Sequence, residues 1–214
     1  MAKKECTLIC FAGAGGTGKT SVVNNLHSRI TSDADGVEPA CIIHRSIVRE
    51  FYATRGVADE ASFLSMSAPQ RAEFQLALYD YYITKLEEFC ADAAKTEKVV
   101  LCERSIFDHF AYTVYGSREL LNGDGMKVLE DGIRRFKVLH PCVFYLPYPT
   151  PWDHLAADGF RARELAKDTI VDALIYKLLS QNRSVWTNTL PTVSIEARAT
   201  AVISSVWVGQ HVSA

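Results

Sequence analysis

Five short apolar runs punctuate the chain: TLICFA at 7–12, CIIH at 41–44, KVVLC at 98–102, CVFYL at 142–146 and TVSI at 192–195. Between them lie longer stretches in which apolar residues recur at helical spacing. Strands alternating with helices predict βαβ units and a mainly parallel sheet covered on both faces. Residues 69–95 carry Phe74, Leu78, Tyr81, Tyr82, Leu86 and Phe89 at intervals of three and four, which predicts one long helix with a buried face. Turn formers concentrate at 116–125 and 146–158. With no internal repeat, low-complexity tract or linker, residues 1–214 read as a single domain.

The segment after the first run, FAGAGGTGKTS at 11–21, changes the picture from fold to chemistry. Gly13 to Thr20 satisfies GxxxxGK[ST] between a predicted strand and a predicted helix, the context this phosphate-binding loop needs. Glycines allow the backbone to wrap phosphate oxygens, and successive N–H groups converge at a helix N-terminus that favours anions. Gly13, Ala14, Gly15, Gly16, Thr17, Gly18, Lys19, Thr20 and Ser21 are therefore the expected cradle for ATP. Lys19 would place its charge on the β- and γ-phosphates, and the Thr20 hydroxyl would ligate Mg²⁺.

Composition narrows the partners. Lys+Arg 23 against Asp+Glu 25 gives a net charge of −2, which disfavours a general grip on a nucleic-acid backbone but leaves room for a local basic groove. The first apolar run is too short for a signal-peptide core, and no run approaches the length of a membrane span. The expectation is a cytoplasmic protein without a membrane partner. Six cysteines form no CxxC pair, and most sit in or beside the strand-like runs, so they are expected to be free thiols used as small hydrophobes.

Further candidates cluster after the third and fourth runs. Glu103 and Arg104 follow KVVLC, at the carboxyl end of a strand, where open α/β sheets hold ligands. Glu103 there would share a Mg²⁺ ion with Thr20, and Arg104 would fork onto a phosphate or fix a carboxylate. Asp108 lies one helical turn further on, with Tyr112 one turn beyond it; either Asp108 orients or deprotonates an acceptor hydroxyl, or it is a first-turn acid that suits the helix dipole. His109 reads as a packed or surface histidine. Arg161, Arg163 and Lys167 follow a proline-rich loop with Gly159 as a hinge, and a basic lid over about 152–167 would neutralise charge on the moving phosphoryl group. Arg45, Arg49 and Arg55, with Glu50 among them, follow the second run at the same sheet edge and suit an acceptor that carries phosphate.

The order of these motifs resembles the NadR-like branch of P-loop kinases, which is similar in turn to deoxynucleoside and nucleoside monophosphate kinases. The phosphate loop, the REF turn at 49–51, Glu103-Arg104 with Asp108, and Asp158-Gly159-Phe160-Arg161 carry the resemblance across nearly the whole chain. The triplet Glu103-Arg104-Ser105 also looks like the ERS of deoxynucleoside kinases. The resemblance implies a three-layer P-loop NTPase fold with a five-stranded parallel sheet and an arginine-bearing lid. It also implies transfer of the γ-phosphoryl group of ATP, with Mg²⁺, to a nucleoside, nucleotide or nicotinamide riboside. The working residues it implies are Lys19, Thr20, Glu103, Arg104, Arg161 and Arg163.

One departure stands out. These relatives often keep an acid shortly after the second strand, where this chain reads His44-Arg45-Ser46. Three functions follow from the sequence. The first is a kinase for a nucleoside- or nucleotide-like acceptor. The second is a phage kinase acting, in the host cytoplasm, on a hydroxymethyluracil base within DNA, for which Arg45, Arg49, Arg55, Arg134, Arg135 and Lys137 would supply the groove. The third is an ATP-driven switch or motor with no phosphoryl acceptor.

Overall fold

The computed structural model describes residues 6–32, 41–45, 47–96, 98–117, 123–148, 165–191 and 193–208. The chain runs β1 (Thr7–Ala12), α1 (Lys19–Ser32), β2 (Cys41–His44), α2 (Val48–Thr54), α3 (Glu60–Leu64), α4 (Ala68–Lys95), β3 (Val99–Cys102), α5 (Ile106–Gly116), α6 (Asp124–Val138), β4 (Cys142–Tyr145), α7 (Leu165–Gln181), β5 (Trp186–Thr189) and α8 (Ile195–Ile203). The five strands form one parallel sheet in the order β2-β3-β1-β4-β5.

Alternation along β1 explains the layering. Leu8, Cys10 and Ala12 face one side, against Tyr82, Ile83 and Leu86 of α4, Phe107 of α5, Phe136 of α6 and Val171 and Ile175 of α7. Ile9 and Phe11 face the other, against Val22, Val23 and Leu26 of α1 and Ala199 and Val202 of α8. A strand apolar on both faces belongs in the middle of a doubly covered sheet, and β1 is there. The α/β class, the parallel sheet and its five strands agree with the sequence pattern.

The fifth strand is a correction. It was expected at 192–195, but the pairing strand is Trp186–Thr189, whose residues alternate poorly and lie on the open sheet edge. Ser194 instead caps α8, its hydroxyl accepting from the Ala197 amide at 3.2 Å. An edge strand with one neighbour needs less apolar side chain than a central one, so WTNT carried a weak signal.

The long helix stands as expected and starts on a capping box formed by Ser67 and Gln70. Its buried face also includes Tyr79 and Ile83, while Tyr81 and Phe89 are half-buried. Tyr79 lies against α6 at Gly132, where a Cβ would stand 2.2 Å from the tyrosine ring, and its hydroxyl donates to Leu129 O at 2.6 Å. A second, smaller cluster joins α2, α3 and α4 through Phe51, Tyr52, Phe63 and Phe74, whose rings meet at centroid distances of 4.9–6.0 Å. It builds a wall at the carboxyl edge of the sheet.

Candidate functional site

The loop between β1 and α1 turns on glycines that no other residue would replace. Gly16 and Gly18 have φ of 78° and 88°, in the left-handed region. A Cβ on Gly13 would stand 2.4 Å from Leu146 O. Lys19 is nearly buried, its ammonium donating to Gly13 O at 2.7 Å, Ala14 O at 2.6 Å and Thr17 Oγ1 at 3.1 Å. The cation is thus held over its own loop by two carbonyls and a hydroxyl.

β1 and β3 are neighbours, so the end of β3 falls beside the loop. The Thr20 hydroxyl donates to the Glu103 carboxylate. Two hard oxygen donors, one from the start of α1 and one from the end of β3, meet there, a donor set that fits Mg²⁺, which takes one or two protein oxygens and leaves the rest to water and phosphate. Arg104 is buried; burial opposes its charge, but Tyr112, Asp108 and Glu103 nearby keep its pKa above the ordinary value. Its guanidinium lies 5.3 Å from the centroid of the Tyr112 ring and 3.8 Å from Asp108 Oδ1.

Asp108 is fully buried. Its Oδ2 accepts from the Ser105 amide at 3.0 Å and the Ser105 hydroxyl at 2.6 Å, forming the capping box of α5. Its Oδ1 accepts from the Gly13 amide at 3.1 Å. Burial raises its pKa, against the pull of Lys19, Arg104 and Ser105. Both oxygens are engaged, one on the helix start and one on the phosphate loop. The one carboxylate thus joins the start of α5 to the phosphate loop.

Further groups hold or flank the loop, in roles the sequence did not assign to them. Tyr112 accepts from the Gly15 amide at 3.0 Å. Asp172 accepts from the Ala14 amide at 3.5 Å and from the Tyr145 hydroxyl at 2.6 Å, and Asp168 accepts from the Tyr148 hydroxyl at 3.2 Å. The four-residue spacing of Asp168 and Asp172 on one helix face was the available signal. Arg198, from α8, donates to Thr17 O at 2.8 Å and to Pro191 O at 2.8 Å. Nothing in the local sequence around Arg198 marks it.

Beside the loop opens a cavity of about 120 Å³ walled by Val48, Tyr52, Phe63, Leu78, Tyr112 and Tyr115, with Gln75, Arg104, His109 and Lys167 as its polar groups. His109 is packed, its ring 4.0 Å from that of Tyr82. Gln75 is nearly buried, and its side-chain amide forms no hydrogen bond among the described residues. Arg45, Arg49 and Arg55 are exposed and do not line this cavity; Arg55 lies over the Phe51 ring at 5.2 Å. Glu50 is exposed and accepts from the Tyr81 hydroxyl at 2.8 Å. Arg135 is bound to Asp80, Thr84 and Glu87, and Arg134 to Asp131. Arg161, Arg163 and most of the expected lid, like Ser46, fall outside the described residues.

Burial pushes the thiol of Cys41 up to about 12, and none of the six cysteines is joined in a disulfide. Among the described residues no group of three or more His, Cys, Asp or Glu side chains stands ready to hold a metal, and no helix is long and apolar enough to cross a membrane.

A family model described as an AAA domain, AAA_28, matches residues 8–198. Among solved structures, the thymidylate kinase of Ehrlichia chaffeensis superposes with a TM-score of 0.61, over 94% of this chain and 98% of that one, at 16% identity. Likeness at that identity is likeness of fold. No curated protein matches the chain.

Proposed function

The chain belongs to the AAA-domain family, and we propose that it is an ATP-dependent kinase that transfers the γ-phosphoryl group to a nucleoside- or nucleotide-like acceptor. The observation that carries this reading is the aromatic cavity beside the phosphate loop, with an uncommitted carboxamide in its wall and Arg104 and Lys167 as its cations. A switch that only hydrolyses ATP needs no such room. A planar heteroaromatic ring is what Tyr52, Phe63 and Tyr115 would stack, and Gln75 offers both a donor and an acceptor to its edge. The solved thymidylate kinase shares this fold and supports the reading.

In this reading the loop amides and Lys19 hold the β- and γ-phosphates, and catalysis is positioning plus charge stabilisation. An acceptor oxygen attacks the γ-phosphorus while its bond to the bridging β-oxygen breaks, and ADP departs. Thr20 and Glu103 would hold Mg²⁺, which supplies neutralising charge between the phosphates. Arg104 faces the cavity and would fix an acceptor phosphate or hydroxyl; Arg161 and Arg163 would close over the transferring group. Asp108 acts here on the loop, holding Gly13 in place, rather than on the acceptor.

For the DNA-base reading, Arg134 and Arg135 are already paired with acids, which leaves a small acceptor as the better-supported choice. The test is ADP release by the purified protein with Mg-ATP alone, then with nucleosides, nucleoside monophosphates, nicotinamide riboside, and duplex DNA containing hydroxymethyluracil. Release that depends on a small acceptor supports the proposal. Equal release without any acceptor would sink it in favour of the switch, and dependence on the modified duplex would move the acceptor to DNA.

A further inference from the structure

Arg198 is the most unusual charge outside the motifs. It comes from α8, far along the chain from the phosphate loop, yet its Nη1 donates to Thr17 O at 2.8 Å while its Nε donates to Pro191 O at 2.8 Å. Its residue is only 8% exposed. Buried arginines ordinarily meet a carboxylate, because an unbalanced charge away from water is expensive. Among the described residues Arg198 meets none: its partners are two neutral carbonyls, and burial lowers its pKa below the ordinary value.

The geometry of one peptide says what this cation does. A trans peptide points its C=O and its N–H in opposite directions. By gripping Thr17 O, Arg198 fixes the plane of that peptide, in which the Gly18 N–H points away from Arg198. Gly18 has φ of 88°, which calls for glycine, and a Cβ there would stand 3.2 Å from Arg198 Nη1, a tight contact that glycine avoids. A cation hydrogen-bonded to the carbonyl also polarises the peptide, making its N–H a stronger donor to an anion.

We propose that Arg198 is a positioning residue of the phosphate cradle. It orients the Thr17–Gly18 peptide, and its charge finds its balance in the polyphosphate of the bound nucleotide. This rests on the reading of the loop as a nucleotide cradle. Arg198 touches no phosphate itself; it works through one peptide and ties the β5–α8 connection to the loop.

The test measures binding of Mg-ATP and of inorganic tripolyphosphate to the wild type, Arg198→Gln and Arg198→Lys by calorimetry, with melting temperatures alongside. Arg198→Gln should weaken both ligands by the same factor, roughly tenfold or more, since a hydrogen bond from a charged group is at stake. Arg198→Lys, with one compact donor group for two carbonyls, should lose less. If Arg198→Gln does not fold, the Arg198→Lys comparison carries the test with the same common-factor criterion. Wild-type affinity in the variants, with only a lower melting temperature, overturns the inference and leaves a structural strut. Loss for ATP alone overturns it too, in favour of a contact with the base. If the wild type binds neither ligand, the nucleotide reading falls and takes this inference with it; wild-type binding with unaffected variants removes the inference alone.

Discussion

Replacing Asp108 by Asn separates two roles that sequence alone left open. The carboxylate receives three hydrogen bonds, from the Ser105 amide, the Ser105 hydroxyl and the Gly13 amide. An asparagine has one carbonyl oxygen and one NH₂ group. Whichever way it turns, its NH₂ faces a backbone N–H, so one buried donor loses its acceptor. A buried donor left unsatisfied costs about 1–3 kcal/mol, and a weakened cap adds up to ~1 kcal/mol, against which stands the relief of no longer burying a charge. A net loss of about 2 kcal/mol follows, or roughly 4–8 °C in Tm for a chain of this size. Because one of the three donors is Gly13, the phosphate loop loosens as well, and ATP affinity should fall together with stability.

The pH dependence has a definite sign. Burial raises the Asp108 pKa above that of an exposed carboxyl, so the folded state binds this proton more tightly than the unfolded one. Its contribution to stability is therefore greatest below the unfolded carboxylate pKa and falls as pH rises through the folded value. The deficit of Asp108→Asn should be largest in acid and smaller at neutral pH. Thermal melts across pH, with ATP binding at neutral pH, check both points. Wild-type melting and ATP affinity combined with a collapse of acceptor turnover alone would refute this account and return Asp108 to the acceptor.

Lys19→Ala should leave the fold intact and lower turnover about a hundredfold, as expected where a preorganised cation supplies on the order of 3 kcal/mol to the transition state; steady-state kinetics beside a melting curve decide it. Arg161→Ala and Arg163→Ala should reduce kcat far more than they raise the KM for ATP, and full kcat in both variants would remove them from the chemistry. Gly132→Ala places a methyl 2.2 Å from the Tyr79 ring and should cost about 1–3 kcal/mol, seen as a lower Tm with unchanged affinity for ATP.

Much of this was legible in the chain. The phosphate loop announces itself because its glycines, lysine and threonine are consecutive and their geometry is local. β1 to β4 and α4 were legible because each buries a face whose periodicity survives in the sequence. Trp186–Thr189 leaves a weak trace because an edge strand needs few apolar residues, and the more apolar TVSI nearby outweighs it in the sequence. Asp108 showed its position but not its direction: whether a helix-start acid turns inward depends on the Gly13 amide waiting in the loop after β1. Arg198 and the pairing of Tyr112 with Gly15 join residues distant in sequence and leave no local trace. The aromatic wall was hidden in the same way, since Tyr52 and Phe63 sit on short helices whose meeting with Phe74 no window of sequence contains.

The strand order also carries a consequence for how the chain is made. β1 precedes the other four strands, but its two partners are β3 and β4, and Ile9 meets Cys142 only once every residue between them has been synthesised. Until β3 and α5 follow, this largely apolar strand has no partner in the sheet, and the phosphate loop after it lacks the Asp108 carboxylate that receives the Gly13 amide. Such dependence on distant pairing makes folding slow and leaves an aggregation-prone segment exposed to the cell in the meantime. The same central placement of β1 that puts a floor under the phosphate loop thus ties folding to contacts far along the chain.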